Sequence, residues 1–218
     1  GAPLKPVPQG MTAADVISTY VKSIGGADKI KDIKDFSYTA TGNVQGQDIK
    51  LEYKYKAPDH ILQSISQTIT VVQKTLVHGD SVSVSCMGEE SQPVDDPTLK
   101  KVKEQAVPFP ELDYSKPGYK LSLAPDMENI DGKDAYVISI TSPSGISSKE
   151  YFDAATGLKI HKETTAGDAS GSISFADYKE VNGIMFPFSE TISWGVDLLH
   201  LEVKDVKINS GLKDEDFK

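Results

Sequence analysis

Arginine is absent from this chain, although lysine is common. All 23 basic residues among the 218 are lysines, and 32 aspartates and glutamates bring the net charge to −9 at pH 7. Proteins that bind a nucleic acid backbone present a basic surface to its phosphates, so this charge balance argues against nucleic acid as a partner. Without arginine the chain also lacks the planar group that grips phosphates with two hydrogen bonds, which disfavours phosphoryl transfer.

Cysteine and long apolar runs are also scarce. Cys86 is the single cysteine, so no disulfide can form within the chain. It shares the alternating positions of the apolar residues in Val82-Ser-Val-Ser-Cys, which predicts a small buried side chain and not a reactive thiol. No apolar run reaches the roughly 18 residues that a transmembrane helix needs.

Recognisable catalytic motifs are missing. The chain has no Gly-x-Ser-x-Gly elbow, no glycine-rich phosphate loop and no His-Glu-x-x-His. His60, His78, His161 and His200 are isolated in the sequence, which predicts surface or strand-end side chains in preference to zinc ligands. The acidic run at residues 214–216 indicates solvated charge or capping. We therefore expect no enzyme activity, no cofactor and no metal, and an enzyme site assembled from dispersed residues is the weaker alternative.

The first eleven residues contain three prolines and predict a flexible tether. A tether suits a protein held by an N-terminal lipid anchor ahead of the given sequence. No later segment has the composition of a linker, so residues 12–218 are predicted to form a single domain.

Two helices are predicted. Residues 12–24 place apolar side chains on one face, with Thr12 as the N-cap and Gly25 after the end. A second helix begins at Asp96-Pro97, with Asp96 as its cap. The proline-rich continuation to Leu112 interrupts the strands and is the natural candidate for a lid.

The rest of the chain alternates apolar and polar residues, as one-sided antiparallel strands do. The clearest hairpin is centred on Asn182-Gly183, which fits a type I′ turn. The alternation predicts about ten strands and a bulge near Lys204-Asp205. A sheet of this size must curl or split to cover its apolar face, and only the two helical segments are available to cover it.

Five phrases spread between Thr12 and Phe217 resemble the LolA/LolB-like superfamily of outer-membrane lipoprotein-sorting domains of Bacteroidetes-type bacteria. Domains that follow insulinase-type zinc peptidases in such bacteria are similar. The phrases are Ile24-Gly-Gly-Ala-Asp-Lys-Ile-Lys-Asp-Ile, Phe109-Pro-Glu-Leu, Tyr151-Phe-Asp-Ala-Ala-Thr-Gly-Leu-Lys, Asp177-Tyr-Lys-Glu-Val-Asn-Gly-Ile-Met-Phe-Pro and Val203-Lys-Asp-Val-Lys-Ile-Asn.

The resemblance implies a mainly β (α+β) fold, in which a strongly curled antiparallel half-barrel carries the N-terminal and mid-chain helices over its concave face. In relatives this arrangement encloses an apolar cavity that holds acyl chains. LolA-type carriers commonly gate that cavity with an arginine, and this chain has none to match it.

Two non-catalytic functions are compatible with these observations. The first is a periplasmic or outer-membrane-associated protein that binds a lipid, a lipoprotein acyl chain or another apolar ligand between sheet and helices. The second is an interaction domain beside an envelope peptidase or complex, with a packed core and an exposed apolar patch. For the ligand-binding function, strand parity (the alternation of inward and outward side chains along a strand) gives the candidate cavity residues. They are Tyr38, Leu51, Tyr53, Ile65, Val71, Leu99, Val102, Phe109, Ile138 and Phe186.

Overall fold

The structure is a computed structural model that describes residues 3–89, 94–166 and 169–218. Its helices are α1 (Ala13–Ser23), α2 (Ala27–Lys31) and α3 (Asp96–Ala106), with short 3₁₀ helices at Pro110–Asp113 and Asp214–Phe217. The strands are β1 (Lys5–Pro6), β2 (Asp35–Val44), β3 (Gln47–Lys56), β4 (His60–Gln67), β5 (Thr70–His78), β6 (Ser81–Cys86), β7 (Lys120–Leu123), β8 (Asp126–Ile130), β9 (Lys133–Thr141), β10 (Ser147–Asp153), β11 (Lys159–Ala166), β12 (Ala169–Val181), β13 (Ile184–Trp194) and β14 (Asp197–Ile208).

These strands form one antiparallel sheet of 14 strands. Its order is β1-β8-β9-β10-β11-β12-β13-β14-β2-β3-β4-β5-β6, and β7 pairs with β9 beside β8. Most neighbours in space are neighbours in sequence, because each strand turns back through a short connection. The sheet is open, since β1 and β6 lie at its two ends. The mainly β fold class is confirmed, with more strands than the predicted ten or so.

The hairpin turn and the bulge that the sequence predicted both occur, and they set how the strands around them pair. Asn182 and Gly183 have φ values of 49° and 81°, and Val181 pairs with Ile184 across them, as a type I′ hairpin requires. The predicted bulge also occurs: the pairing of β14 with β2 shifts between Lys204 and Lys207.

Helix α1 begins and ends where the sequence predicted. The Thr12 hydroxyl accepts a hydrogen bond from the Asp15 backbone N–H at 3.1 Å, and the Asp15 carboxylate accepts one from the Thr12 N–H at 2.9 Å. This reciprocal capping satisfies donors that the first turn would leave unpaired. Its buried face consists of Val16, Ile17, Tyr20 and Val21.

A close backbone contact joins the end of α1 to the sheet. The Met185 N–H donates to the Ile24 carbonyl at 2.9 Å. Gly25 follows with φ of +136°, and a Cβ there would lie 2.6 Å from the carbonyl oxygen of Gly183. Glycine is therefore required at position 25 by both conformation and space.

Helix α3 shows how strongly the sheet curls. Lys103 forms an ion pair with Asp80, in the turn after β5, at 2.9 Å, and Glu104 accepts a hydrogen bond from the Ser144 hydroxyl, in the turn before β10, at 2.7 Å. In a flat sheet β5 and β10 would be eight strand spacings apart, roughly 38 Å at about 4.8 Å each. Contacts from adjacent residues of one helix therefore require a sheet wrapped around it.

The concave face holds two apolar clusters. The main core joins the helices to both halves of the sheet, and its buried members are Val16, Ile17, Tyr20, Val21, Ile24, Ile30, Ile33, Phe36, Tyr53, Ile61, Val77, Ala106, Tyr114, Ile138, Ile140, Phe152, Ile184 and Ile208. The second cluster lies further along the strands and is built on Ala40, Ile49, Leu199, Leu201 and Val203.

Two predictions of local backbone structure differ from the structure. Lys5 and Pro6, within the predicted flexible tether, form strand β1 against Met127 and Asp126; proline is tolerated there because β1 is an edge strand. The N-cap of α3 is Asp95, whose carboxylate accepts from the Thr98 N–H at 2.8 Å, and not Asp96. The single domain over residues 12–218 stays a prediction.

The prediction that Cys86 is buried is wrong. Cys86 is exposed because β6 lies at the open edge of the sheet, where its side chains have a neighbouring strand on one side alone. Among the described residues, no helix is long and apolar enough to cross a membrane.

Candidate functional site

A cavity of about 250 Å³ lies on the concave face, beneath residues 106–111. We call it the central cavity. Residues 106–113, which begin at the last residue of α3, are called the covering segment. The walls of the central cavity come from α1, the covering segment and strands β2, β3, β4, β11, β12 and β13. Four residues predicted from strand parity line it: Tyr38, Tyr53, Phe109 and Phe186.

Six of the thirteen sheet residues that line this cavity are aromatic. Tyr38 and Tyr53 are directly paired across β2 and β3, and their rings stack with centroids 5.3 Å apart. Phe186 contacts Tyr38 and Phe36 with centroids 5.2 Å away in each case, while Phe109 of the covering segment contacts Phe36 at 5.8 Å. The rings give a large apolar surface at low conformational cost.

The covering segment is tied to the sheet by a buried hydrogen bond. The Tyr53 hydroxyl donates to the carbonyl of Ala106, at the last turn of α3, with a distance of 2.7 Å. That carbonyl belongs to the group that a helix end leaves without an internal partner. Burial raises the pKa of Tyr53 well above its usual value, so the hydroxyl stays protonated and able to donate.

A cluster of buried charges lies below the same segment. Lys159 of β11 donates to Glu111 of the covering segment at 2.5 Å and also contacts Glu150 of β10. The Tyr114 hydroxyl donates to Glu150 at 2.8 Å. All four side chains are buried, and Glu150 is 0% exposed. Two carboxylates against one ammonium leave the cluster with a formal charge of −1.

The charge state of Lys159 follows from its surroundings. Burial alone would lower the pKa of Lys159, but the carboxylates of Glu111 and Glu150 outweigh it and raise that pKa well above its usual value. The ammonium also lies 5.4 Å from the ring centroid of Tyr20 and 5.6 Å from that of Phe152, where aromatic faces attract a cation. Lys159 is therefore a fixed positive charge under the covering segment.

Two further ionisable side chains line the central cavity. Glu190 of β13 is flanked by Phe175 and Leu201 in the sheet, and burial raises the pKa of its carboxyl to about 7. Burial lowers the pKa of Lys162 on β11. Within the described ranges, neither side chain has a hydrogen bond or an ion pair, so each is available to a ligand.

The other predicted cavity residues lie elsewhere. Val102 packs on the main core, and Ile138 is fully buried within it. Leu51 and Ile65 pack against the second cluster, Leu99 is half-buried on α3, and Val71 is exposed near the β4–β5 turn.

Sequence reasoning missed the charge cluster entirely. One signal was present: Glu150 pairs directly with Ile138, so it occupies an inward position in the alternation of β10. A carboxylate at an inward position requires a buried partner. Lys159 reaches Glu150 from the adjacent strand β11, where it pairs with Phe152, but only the tertiary fold brings Glu111 of the covering segment to them.

An open, curled antiparallel sheet with helices over its concave face defines the structural class. Two solved structures share it. A LolA superfamily protein from Nitrosomonas europaea is 14% identical with a TM-score of 0.62, covering 96% of this chain and 98% of its own. A DUF1329 family protein from Desulfovibrio piger is 15% identical with a TM-score of 0.61, covering 93% and 95%.

This chain therefore has a LolA-like fold, as the sequence resemblance implied. At such identities the likeness concerns the fold alone. No family model matches the chain, and no curated protein matches it in sequence.

Proposed function

We propose that this protein is a non-catalytic binding protein that holds an amphiphile, an apolar chain with one polar group, in the central cavity. The observation that carries the proposal is the central cavity itself, with aromatic walls and two unpaired ionisable side chains under a segment fixed by few polar contacts. A lipid or a lipoprotein acyl chain has this chemistry. The LolA-like fold supports an extracytoplasmic location, periplasmic or at the outer membrane.

The size of the cavity bears on how a ligand enters. At about 250 Å³ it is slightly smaller than the roughly 300–1,000 Å³ typical of ligand sites. An acyl chain of ordinary length therefore has to displace the covering segment. Because Phe109 packs on Phe36, outward movement of Phe109 with the segment would enlarge the apolar site and expose more of the Phe36 ring.

Displacing the segment has a cost that the ligand must offset. Outward movement separates Glu111 from Lys159, which keeps Glu150 as its counter-ion, and loss of a hydrogen bond between charged groups costs about 1.5–3 kcal/mol. Each buried methylene contributes about 0.8 kcal/mol. About two to four methylenes thus offset the opening, so the site should select long chains over short ones.

Two side chains in the central cavity can bind the polar group of the ligand. Glu190 offers a carboxyl that is partly protonated near neutral pH, and Lys162 offers an ammonium. An amphiphile that places its polar group between them satisfies groups that are otherwise unpaired, which a simple hydrocarbon cannot do.

A displacement titration tests the proposal. A homologous series of fatty acids competes with a fluorescent fatty acid for the wild-type chain, and affinity should rise about fourfold per methylene. Val102→Asp puts a charge into the main core beneath α3 and should abolish uptake. Val196→Asp is the matched control, because Val196 is 98% exposed in the β13–β14 turn. No dependence on chain length, or full uptake by a folded Val102→Asp protein, would contradict the proposal.

A protein-interaction domain is the second candidate, and one observation favours it. Large apolar side chains are exposed at turns on one end of the sheet: Ile69 is 93% exposed in the β4–β5 turn, and Val196 and Leu198 are 98% and 65% exposed around the β13–β14 turn. Exposed apolar surface of this kind marks interaction sites. Co-purification of an envelope protein that is lost in Ile69→Ser and Val196→Ser, with unchanged fatty acid binding, would establish this role.

A further inference from the structure

Two histidines that are isolated in the sequence meet in the structure. His60 begins β4 and His78 ends β5, and the register of the hairpin places them directly opposite each other. Their ring centroids are 3.9 Å apart. The next pair, Ile61 and Val77, belongs to the main core. Because alternate residues point to opposite faces, the histidines lie on the convex face, away from the central cavity. The sequence-based prediction that His60 and His78 are isolated from each other is therefore wrong.

A carboxylate completes a group of three potential ligands. Asp59 lies in the turn that precedes β4, and its carbonyl accepts a hydrogen bond from the Gly79 N–H at 3.3 Å, which fixes it beside the end of β5. One ligand atom each from Asp59, His60 and His78 lies within 4.8 Å of the other two. The two chain segments that carry the three residues are thus held together by hairpin geometry and not by the side chains themselves.

The hydrogen bonding of His60 leaves a gap that a cation would fill. Its Nδ1 is buried and has no hydrogen-bond partner, although the Asp59 carboxylate is 3.3 Å away, because the direction is unsuited to a bond. Its Nε2 lies 3.8 Å from the Asp214 carboxylate. With its proton on Nε2, the ring has a free lone pair at Nδ1, and a cation bound by this nitrogen and the nearby Asp59 carboxylate would satisfy it.

We propose that Asp59, His60 and His78 form a binding site for a divalent transition metal of the zinc type. Imidazole nitrogen and carboxylate oxygen are ligands that Zn²⁺ prefers, and water takes the fourth position in sites with three protein ligands. Ligand atoms around tetrahedral Zn²⁺ lie about 3.4 Å apart, so modest side-chain rotations from the present spacing close the site.

Asp214 has a supporting role in this site. Lys56 forms an ion pair with the Asp214 carboxylate at 2.6 Å. Its position beside His60 Nε2 is that of the outer carboxylate that commonly orients a metal-bound histidine. Phe217 of the same 3₁₀ helix packs its ring 5.6 Å from His60. The metal would therefore join the ends of β4 and β5 to the C-terminal segment.

Calorimetric titration of the full chain with Zn²⁺ alone, after chelator treatment, tests the proposal. We expect one Zn²⁺ per chain, about tenfold or more weaker binding in His78→Ala and Asp59→Asn, and about tenfold weaker binding in Asp214→Asn. His200→Ala is the matched control and should bind as the wild type does, because His200 is an exposed histidine on β14 beside Glu202.

Folding is checked independently of the metal. His78 is exposed, so His78→Ala should unfold at the wild-type temperature in chelator. Zn²⁺ should raise the unfolding temperature of the wild type and of His200→Ala, and should raise that of His78→Ala less. Absence of stoichiometric binding would overturn the site. Binding that persists unchanged in His78→Ala and is lost in His200→Ala would also overturn it.

Discussion

Replacing Glu111 by glutamine removes one carboxylate from the buried charge cluster and keeps the shape of the side chain. Lys159 then retains Glu150 as its counter-ion, so no ammonium is left unpaired. The cluster changes from a formal charge of −1 to neutral. The contact that holds the covering segment, at 2.5 Å in the wild type, changes from an ion pair to a hydrogen bond between an ammonium and a neutral amide.

The expected effect on opening follows from the strength of that contact. A hydrogen bond to a charged group contributes about 1.5–3 kcal/mol. The wild-type contact has two charged partners and belongs at the upper end of that range, and the ammonium–amide contact of the variant belongs at the lower end. The substitution therefore lowers the cost of displacing the covering segment by about 1–1.5 kcal/mol. If displacement limits entry, uptake accelerates by about five- to tenfold, because a factor of ten corresponds to about 1.4 kcal/mol.

Stopped-flow fluorescence with a fluorescent fatty acid measures this rate. Glu163→Gln is the matched control, since Glu163 lies on β11 with its side chain 51% exposed. Equal uptake rates for Glu111→Gln and the wild type, in a protein of unchanged fold, would refute the role of the Glu111–Lys159 pair as the closure.

Two further substitutions test the walls of the central cavity. The Glu190 carboxyl has a folded-state pKa of about 7 against an ordinary value of 4.5, so the folded chain binds more protons between those values, and its free energy of unfolding should fall as pH rises across that window. Denaturant unfolding at several pH values should show a flatter profile for Glu190→Gln; an identical profile would contradict the buried carboxyl. Tyr53→Phe leaves the buried Ala106 carbonyl unpaired and should reduce the free energy of unfolding by about 1–3 kcal/mol, measured in urea. A loss below the error of the titration would show that this hydrogen bond does not hold the end of α3.

Local signals account for the parts of the fold that were predicted correctly. Thr12 caps α1, Asn182-Gly183 forms the hairpin turn, and alternation marks the long strands, because each signal acts over a few neighbouring residues. The short strand β8, with the sequence Asp-Met-Glu-Asn-Ile, has no such alternation and forms through pairing with β9 and β1.

The candidate site depends on non-local geometry, which explains its partial prediction. Tyr38 and Tyr53 are inward on paired strands, so parity suffices to place them. Val71 follows the same parity, yet it is exposed because the pairing of β4 with β5 shifts between Ile65 and Ser66. The Glu111–Lys159 contact joins residues 48 positions apart in the sequence, and no short-range pattern records it.

Native mass spectrometry of the chain purified from a bacterial host, before and after organic extraction, tests the central claim most directly. The binding function proposed for the central cavity predicts a lipid-sized mass bound one to one, removed by extraction and restored by added fatty acid. A single unliganded mass in both samples, with no uptake of fatty acid by the extracted protein, would contradict it.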